Sequence, residues 1–252
     1  MADDHDVAER LATRAGDLLL DVRAEFAGAS TEDRKNAGDK RSHAFLTEEL
    51  SRLRPGDAVL SEEASAAERA DTSRLRASRV WIVDPLDGTR EFAELGREDW
   101  AVHVALWQDG DLVAGAVALP AQNTTLHTPE VAAPRPHDGP PRVVVSRTRP
   151  PALALAVCDA LGGKLVEMGS AGAKAAAVVQ GHADVYVHAG GQYEWDSAAP
   201  VAVARAAGLH TSRIDGSPLR YNRENPWLPD LVVCRPELAE AVLAVTMAAP
   251  SA

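Results

Sequence analysis

The sequence predicts a mixed α/β protein built from two unlike halves, and three observations carry that reading. The second half alternates strand-like apolar runs with helical patterns, as layered α/β chains do. The first half places two amphipathic helical stretches ahead of hairpin-linked β-rich segments, which predicts two helices on a largely antiparallel sheet. Between them, residues 129 to 141 hold Pro129, Pro134, Pro136, Pro140 and Pro141, a stiff, exposed connector. The chain is therefore divided into an N-terminal half, residues 1–135, and a C-terminal half, residues 142–252.

In chain order, Val7, Leu11, Ala15, Leu18, Leu19 and Val22 recur at helical spacing and predict a helix over 7–26. A second helix is predicted to start at Asp39, a good N-cap type, with Phe45, Leu46, Leu50 and Leu53 on one face. Pro55-Gly56 stops it. Ala58-Val59-Leu60 is a short strand, followed directly by Glu62-Glu63. Val80 to Val83 is apolar on both faces and so reads as a central strand. Trp100–Trp107 and Leu112–Leu119 flank the turn signal Asp109-Gly110-Asp111 and form a hairpin. Thr124 to Thr128 adds a third strand.

In the second half, strands are predicted at 142–145, 164–168, 184–188 and 231–234. Helices are predicted at 151–161, 171–180, 197–207 and 236–249, closed by Gly162-Gly163 and Gly208 and opened by Pro236.

The 252 residues, 46% of them apolar, suffice for a sizeable core. With 26 basic and 37 acidic residues the net charge is -11, which argues against binding a nucleic-acid polymer through a cationic surface. An anionic substrate must then be attracted locally, by metal ions or a few placed cations. Cys158 and Cys234 are far apart and form no metal or redox pair; they read as buried free thiols. No apolar stretch is long enough to span a bilayer, and the acidic start is no signal peptide, so a cytoplasmic location is expected.

The chemistry concentrates at strand ends. Asp84-Pro85-Leu86-Asp87-Gly88-Thr89 follows the strand Val80–Val83. Pro85 has no N–H for a ladder, so the backbone is expected to turn and aim both carboxylates at one point. Gly88 permits close approach of a ligand, and Thr89 can cap a helix start whose free N–H groups bind phosphate. Two hard divalent cations need several carboxylates, carbonyl oxygens and water. Glu62, after one strand, and Asp196, just before a helix, complete a four-acid set. Alone, each acid has a plain alternative: a turn for 84–88, a solvated charge for Glu62, a helix cap for Asp196 or Asp39. The composite favours a metal site.

Leu60-Ser61-Glu62-Glu63, Trp81 through Thr89, and Trp195-Asp196-Ser197-Ala198-Ala199 resemble the inositol monophosphatase superfamily over nearly the whole chain. Thr89-Arg90-Glu91-Phe92, Gly169 through Lys174, and Tyr221-Asn222 resemble its bisphosphate nucleotidase branch, within it the actinobacterial CysQ type. The resemblance implies an α/β/α/β/α sandwich, a homodimer, and a lithium-sensitive Mg²⁺-dependent phosphomonoesterase using two or three ions and a metal-activated water. The implied substrate is 3'-phosphoadenosine 5'-phosphate, a by-product of sulfate assimilation.

The implied ligands are Glu62, Asp84 and the Leu86 carbonyl for one ion, and Asp84, Asp87 and Asp196 for the other. Thr89 would position the attacking water with Asp39 as its basic partner. Gly88 and Thr89 would bind the scissile phosphate, and Lys174 and His188 the second phosphate. Glu62, Leu86, Asp87 and Asp196 would also border the substrate. Three positions depart from the wider pattern: Asn36 for Thr, Ala171 for Ser, and His188 where nucleotidases carry Arg. A neutral His holds phosphate less firmly than an always-charged Arg. An inositol 1-phosphate or fructose 1,6-bisphosphate phosphatase with the same chemistry is the nearest alternative. A metal- or nucleotide-binding protein without turnover, and a glycosidase, are more distant ones.

Overall fold

Two five-stranded sheets and three layers of helices make up the structure, a computed structural model that describes residues 3–65, 67–68, 71–135 and 138–248. Helix α1 (Asp4–Glu25) is capped by Asp3, whose carboxylate accepts the Asp6 N–H. Helix α2 (Thr31–Leu53) is capped by Ser30, which accepts the Asp33 N–H. The helix therefore begins well before Asp39, correcting the expected start; Asp39 lies in its interior. Gly38 directly precedes Asp39, and a Cβ there would meet Phe92 at 2.8 Å and Leu86 at 2.9 Å. The glycine is present for close packing, and the helix runs through it.

The first sheet has the order β1 (Ala58–Ser61), β2 (Arg79–Asp87), β3 (Ala101–Gln108), β4 (Asp111–Leu119), β5 (Thr124–His127). Only β1 and β2 run parallel. Side chains of β2 alternate as a strand requires. Trp81 and Val83 face α1 and α2, whereas Val80 and Ile82 face the middle of the molecule.

Pro85 does not end β2, contrary to expectation. The strand continues to Asp87, with its pairing to β3 interrupted between Asp84 and Asp87. The proline sits in that irregularity, where no ladder N–H is needed. Its carbonyl accepts from Ser42 Oγ at 2.7 Å. A one-turn helix follows, α3 (Thr89–Ala93), at the helix start expected near Thr89. Gly88, with φ 82°, is its N-cap, so Thr89 is the first helical residue rather than the cap.

The second sheet has the order β7 (Lys164–Met168), β6 (Arg142–Ser146), β8 (Val185–Tyr193), β10 (Trp227–Cys234), β9 (His210–Ser212). Strand β8 runs five residues past its expected end at His188. A register shift opposite Leu228 and Asp230 absorbs Gly190 and Gly191.

Helices α4 (Ala152–Ala160) and α7 (Ala239–Ala248) cover the outer face through Val157, Cys158 and Val242. Both cysteines are buried and free. A one-turn 3-10 segment, Pro236–Leu238, precedes α7. Pro136 in the connector and Ala249 at the expected helix end lie outside the described residues.

Helices α5 (Ala171–Val179) and α6 (Glu194–Ala206) fill the space between the sheets. Their core takes Val80, Ile82 and Val117 from one sheet and Val144, Tyr186 and Val233 from the other. The layers thus run α/β/α/β/α. Helix α6 begins at Glu194, three residues before the expected start, so Asp196 lies within its first turn. The Asp196 carboxylate accepts the Tyr193 N–H at 2.6 Å and so closes the helix end from inside. Among the described residues no helix is long and apolar enough to cross a membrane.

Candidate metal centre and active site

The acids expected from sequence meet where β2 ends against the N-terminal turns of α5 and α6. Asp84, Asp87 and Asp196 each bring a carboxylate oxygen to within 4.8 Å of the others. Glu62, just after β1, reaches the same place, where its carboxyl and that of Asp84 hydrogen-bond. Such crowding of like charges raises carboxyl pKa values. Burial, then Asp196, Asp87 and Glu63, push Glu62 up to about 7, with the Asp84 contact pulling back. Burial and the Asp87 charge raise Asp196 to about 6. Asp84, 1% exposed, is driven well above the carboxylate range by burial and the charges of Glu62, Asp87 and Asp196.

Asp87 behaves differently. Its two oxygens accept the Ala171 N–H at 3.1 Å and the Gly172 N–H at 2.6 Å, at the start of α5, and the Ser170 hydroxyl. His103 Nε2 lies 3.3 Å away, a charge contact without hydrogen-bond alignment. His103 Nδ1 is held by the Trp195 carbonyl at 3.0 Å, which fixes the ring. Burial works against the charged carboxylate, but His103, Ser170 and Lys174 hold it at about 2. Burial likewise opposes a charged His103, yet Asp87 raises its pKa above the ordinary value. Gly172 makes this possible, since a Cβ there would meet His103 Nε2 at 1.9 Å.

The remaining candidates fall around this cluster. The Leu86 N–H donates to Asp84 Oδ1 at 3.0 Å, and the Leu86 carbonyl accepts from Thr89 Oγ1 at 3.2 Å. Asp39 faces Thr89 from α2. Burial and Glu63 push it to about 7, while Lys35 and the hydrogen-bonding Thr89 side chain pull the other way. Gly88 packs against Ser170 and Trp100, where a Cβ would meet Ser170 at 2.9 Å.

Lys174 is 7% exposed, with Nζ donating to the Gly169 carbonyl at 3.3 Å and the Ser170 carbonyl at 2.5 Å. Burial lowers its pKa against the pull of Asp87 and Glu91. His188 is half-buried, and its Nε2 lies 2.9 Å from the Gly191 carbonyl.

Several supporting residues escaped sequence reasoning. His103, mid-strand in β3, carried no motif. Buried Glu194 accepts the Asn222 N–H at 2.7 Å and the Arg223 N–H at 2.8 Å, and Arg74 donates to Asn222 Oδ1 at 2.6 Å. That network ties the β1–β2 connection, which carries Glu62, to the helix of Asp196. Glu91 accepts from Arg147 Nε at 2.8 Å and so fastens α3 to the second half. Partners 28 to 148 residues apart cannot be matched from sequence. A cleft of about 580 Å³ lined by His127, Val131, Arg135 and Gln180 lies elsewhere; none of the clustered acids borders it.

A layered α/β sandwich with clustered acids at the ends of its strands defines a class, and this chain belongs to it: residues 2–133 and 142–249 match the inositol monophosphatase family. That family is metal-dependent. Within it, the chain is 50% identical over 238 residues to the 3'-phosphoadenosine 5'-phosphate phosphatase of Mycobacterium bovis, covering 91% of this chain and 88% of that one. It is 31% identical to the 3'(2'),5'-bisphosphate nucleotidase CysQ of Escherichia coli K12, covering 87% and 94%. The crystal structure of CysQ from Bacteroides thetaiotaomicron superposes with a TM-score of 0.74 at 26% identity, covering 90% and 95%.

Proposed function

We propose that this protein is a magnesium-dependent 3'(2'),5'-bisphosphate nucleotidase that removes the 3'-phosphate of 3'-phosphoadenosine 5'-phosphate, giving AMP and phosphate. The observation that carries the reading is the convergence of Asp84, Asp87 and Asp196 within 4.8 Å at a buried strand end. The choice of nucleotide is supported by the 50% identity to a phosphatase named for that substrate.

The donor set consists of oxygens, which suits a hard divalent cation. The raised pKa values of Glu62, Asp84 and Asp196 report negative charge that such a cation would relieve. Glu62, Asp84 and the Leu86 carbonyl would hold one Mg²⁺; Asp84, Asp87 and Asp196 a second, with Asp84 shared. Bound magnesium supplies charge neutralisation and a more acidic water.

The chain's own groups do the rest. Thr89 Oγ1 orients the attacking water. Asp39, with a pKa of about 7, accepts the released proton through that hydroxyl. The Gly88 and Thr89 N–H groups, at a helix start with no side-chain cap, receive the phosphate oxygens. Lys174 serves the second phosphate. A cytoplasmic, lithium-sensitive homodimer completes the proposal, with residues 1–135 bringing most metal ligands and residues 142–252 bringing Asp196 and substrate contacts.

The test is phosphate release with Mg²⁺ from 3'-phosphoadenosine 5'-phosphate, inositol 1-phosphate and fructose 1,6-bisphosphate, with and without lithium. The nucleotide is expected to give the highest kcat/KM. No release from it, or faster turnover of either sugar phosphate, rejects this substrate.

A further inference from the structure

Strand β8 carries two buried polar groups that the fold does not use. Tyr186 is 2% exposed, and its hydroxyl has no hydrogen-bond partner among the described residues. Lys174 links it to the acidic cluster, because Lys174 Nζ donates to the carbonyl of Ser170, whose hydroxyl donates to Asp87; burial, with the charges of Asp87 and Asp196, raises the Tyr186 pKa. Lys174 Nζ lies 5.4 Å from the centre of its ring, and the His188 ring packs edge-on against it at 6.4 Å.

Gln192 is 6% exposed, and neither atom of its amide has a partner among the described residues. Its register partner on β10 is Leu228, which joins Tyr186 in the core between the sheets. Cross-strand partners share a face, so Gln192 and Tyr186 stand on the same side of β8. Buried polar groups without partners cost stability, and they are retained where something outside the fold completes them.

The neighbouring His188 does not fill that role. A carbonyl only accepts, so His188 Nε2 carries the hydrogen that it gives to Gly191. In the neutral ring Nδ1 is then an acceptor, which does not bind a phosphate oxygen. The Tyr186 hydroxyl, the Gln192 NH₂ and the third Lys174 N–H are all donors. Two unpartnered donor groups on one face of β8, with Lys174 Nζ 5.4 Å from the centre of the Tyr186 ring, match an anionic oxygen.

We propose that Tyr186 and Gln192 are further substrate-contacting residues that, with Lys174, hold the substrate's second, non-scissile phosphate. This rests on the nucleotide reading given above. It also accounts for His188 in place of an arginine: the donor has moved along the same strand.

The test compares the wild type with Tyr186→Phe on 3'-phosphoadenosine 5'-phosphate and on adenosine 3'-phosphate, which lacks the second phosphate. Tyr186→Phe is expected to lower kcat/KM for the bisphosphate about 10-fold, mainly through KM, as loss of one hydrogen bond to a charged group does. Turnover of the monophosphate stays within about two-fold, and the Tm of the metal-free variant is unchanged or higher, because the hydroxyl removed had no partner. Gln192→Met follows the same pattern.

An equal loss on both substrates, no loss on either, or a clear fall in Tm overturns the proposal. If the wild type cleaves the bisphosphate and Tyr186→Phe does so equally well, this inference alone falls. If the wild type cleaves neither nucleotide, the substrate reading falls and this inference with it.

Discussion

Asp84 and Asp87 stand three residues apart on one strand, both buried, and the fold treats them in opposite ways. Asp87 is received by two backbone N–H groups, a serine hydroxyl and a histidine, and it stays ionised down to about 2. Asp84 keeps the Leu86 N–H at 3.0 Å but faces Glu62, Asp87 and Asp196, and its pKa is driven up. One half of the site is thus a finished structural anion, fixed by the start of α5. The other is an unfinished cluster whose charge must be answered from outside. A protein gains nothing in stability from such a cluster, so its presence marks function.

The contrast is broken most directly by neutralising each acid in turn. Asp84→Asn is expected to reduce turnover on the order of 10³-fold or more, the several kcal/mol that a metal-assisted step draws on. Yet the metal-free variant should unfold at the same temperature or higher, since a crowded charge is gone and the Asn oxygen still accepts from Leu86. Asp87→Asn should lose comparable activity and also about 1–3 kcal/mol of stability, because the N–H groups at α5 lose a charged acceptor. Turnover with Mg²⁺ and thermal unfolding in chelator separate the two. Equal Tm changes in both variants would erase the distinction.

Asp39 resembles Asp84 in having a raised pKa, but it is half-buried and faces Thr89 rather than the acids. Asp39→Asn is expected to lower kcat on the order of 10²-fold with little change in KM, the low end for loss of a general base. The acidic limb of the kcat–pH profile should flatten; a profile that keeps its shape assigns the base elsewhere.

Gly172→Ala probes the finished half alone. Its Cβ would meet His103 Nε2 at 1.9 Å and Asp87 Oδ2 at 3.0 Å, so a loss of about 1–3 kcal/mol is expected from overpacking. Denaturant unfolding without metal measures it, and an unchanged midpoint would show that the contact yields easily.

The smallest effect is in pH. Glu62 and Asp196, raised to about 7 and about 6, bind protons more readily folded than unfolded when metal is absent. Their stabilising contribution is complete below the unfolded carboxylate range near about 4 and is lost as pH rises through about 6 to 7. Asp87 has the opposite sign, but its change lies below this window, near about 2. The Tm of chelator-treated protein should therefore rise as pH falls from about 8 to about 5.5. Mg²⁺ at a hundred times Kd, worth about 2.7 kcal/mol in general, should raise Tm more at the higher pH. A Tm that falls over that range contradicts the crowding.

Much of this was readable in the chain, and the failures share a cause. The period-2 and period-3.6 patterns located both sheets' inner strands and the main helices, because burial imposes them locally. The helix of Asp39, the run of β2 through Pro85 and the length of β8 were misjudged because tertiary contacts override local breakers. Gly38 serves Phe92 and Leu86, Pro85 meets Ser42, and Gly191 lies under Trp227, where a Cβ would stand 1.8 Å from the indole. The acids Glu62, Asp84, Asp87 and Asp196 stand out because each follows or precedes an apolar run. Their opposite treatment does not show in sequence, since it depends on His103 and Ser170 arriving from distant segments.

The most direct single measurement is phosphate release from 3'-phosphoadenosine 5'-phosphate by chelator-treated protein as Mg²⁺ is restored. No turnover is expected without the ion, with saturable recovery as it is added, and no recovery in Asp84→Asn at any concentration. Full turnover in the presence of chelator, or recovery in Asp84→Asn equal to the wild type, would contradict the claim that the unfinished cluster is completed by a metal.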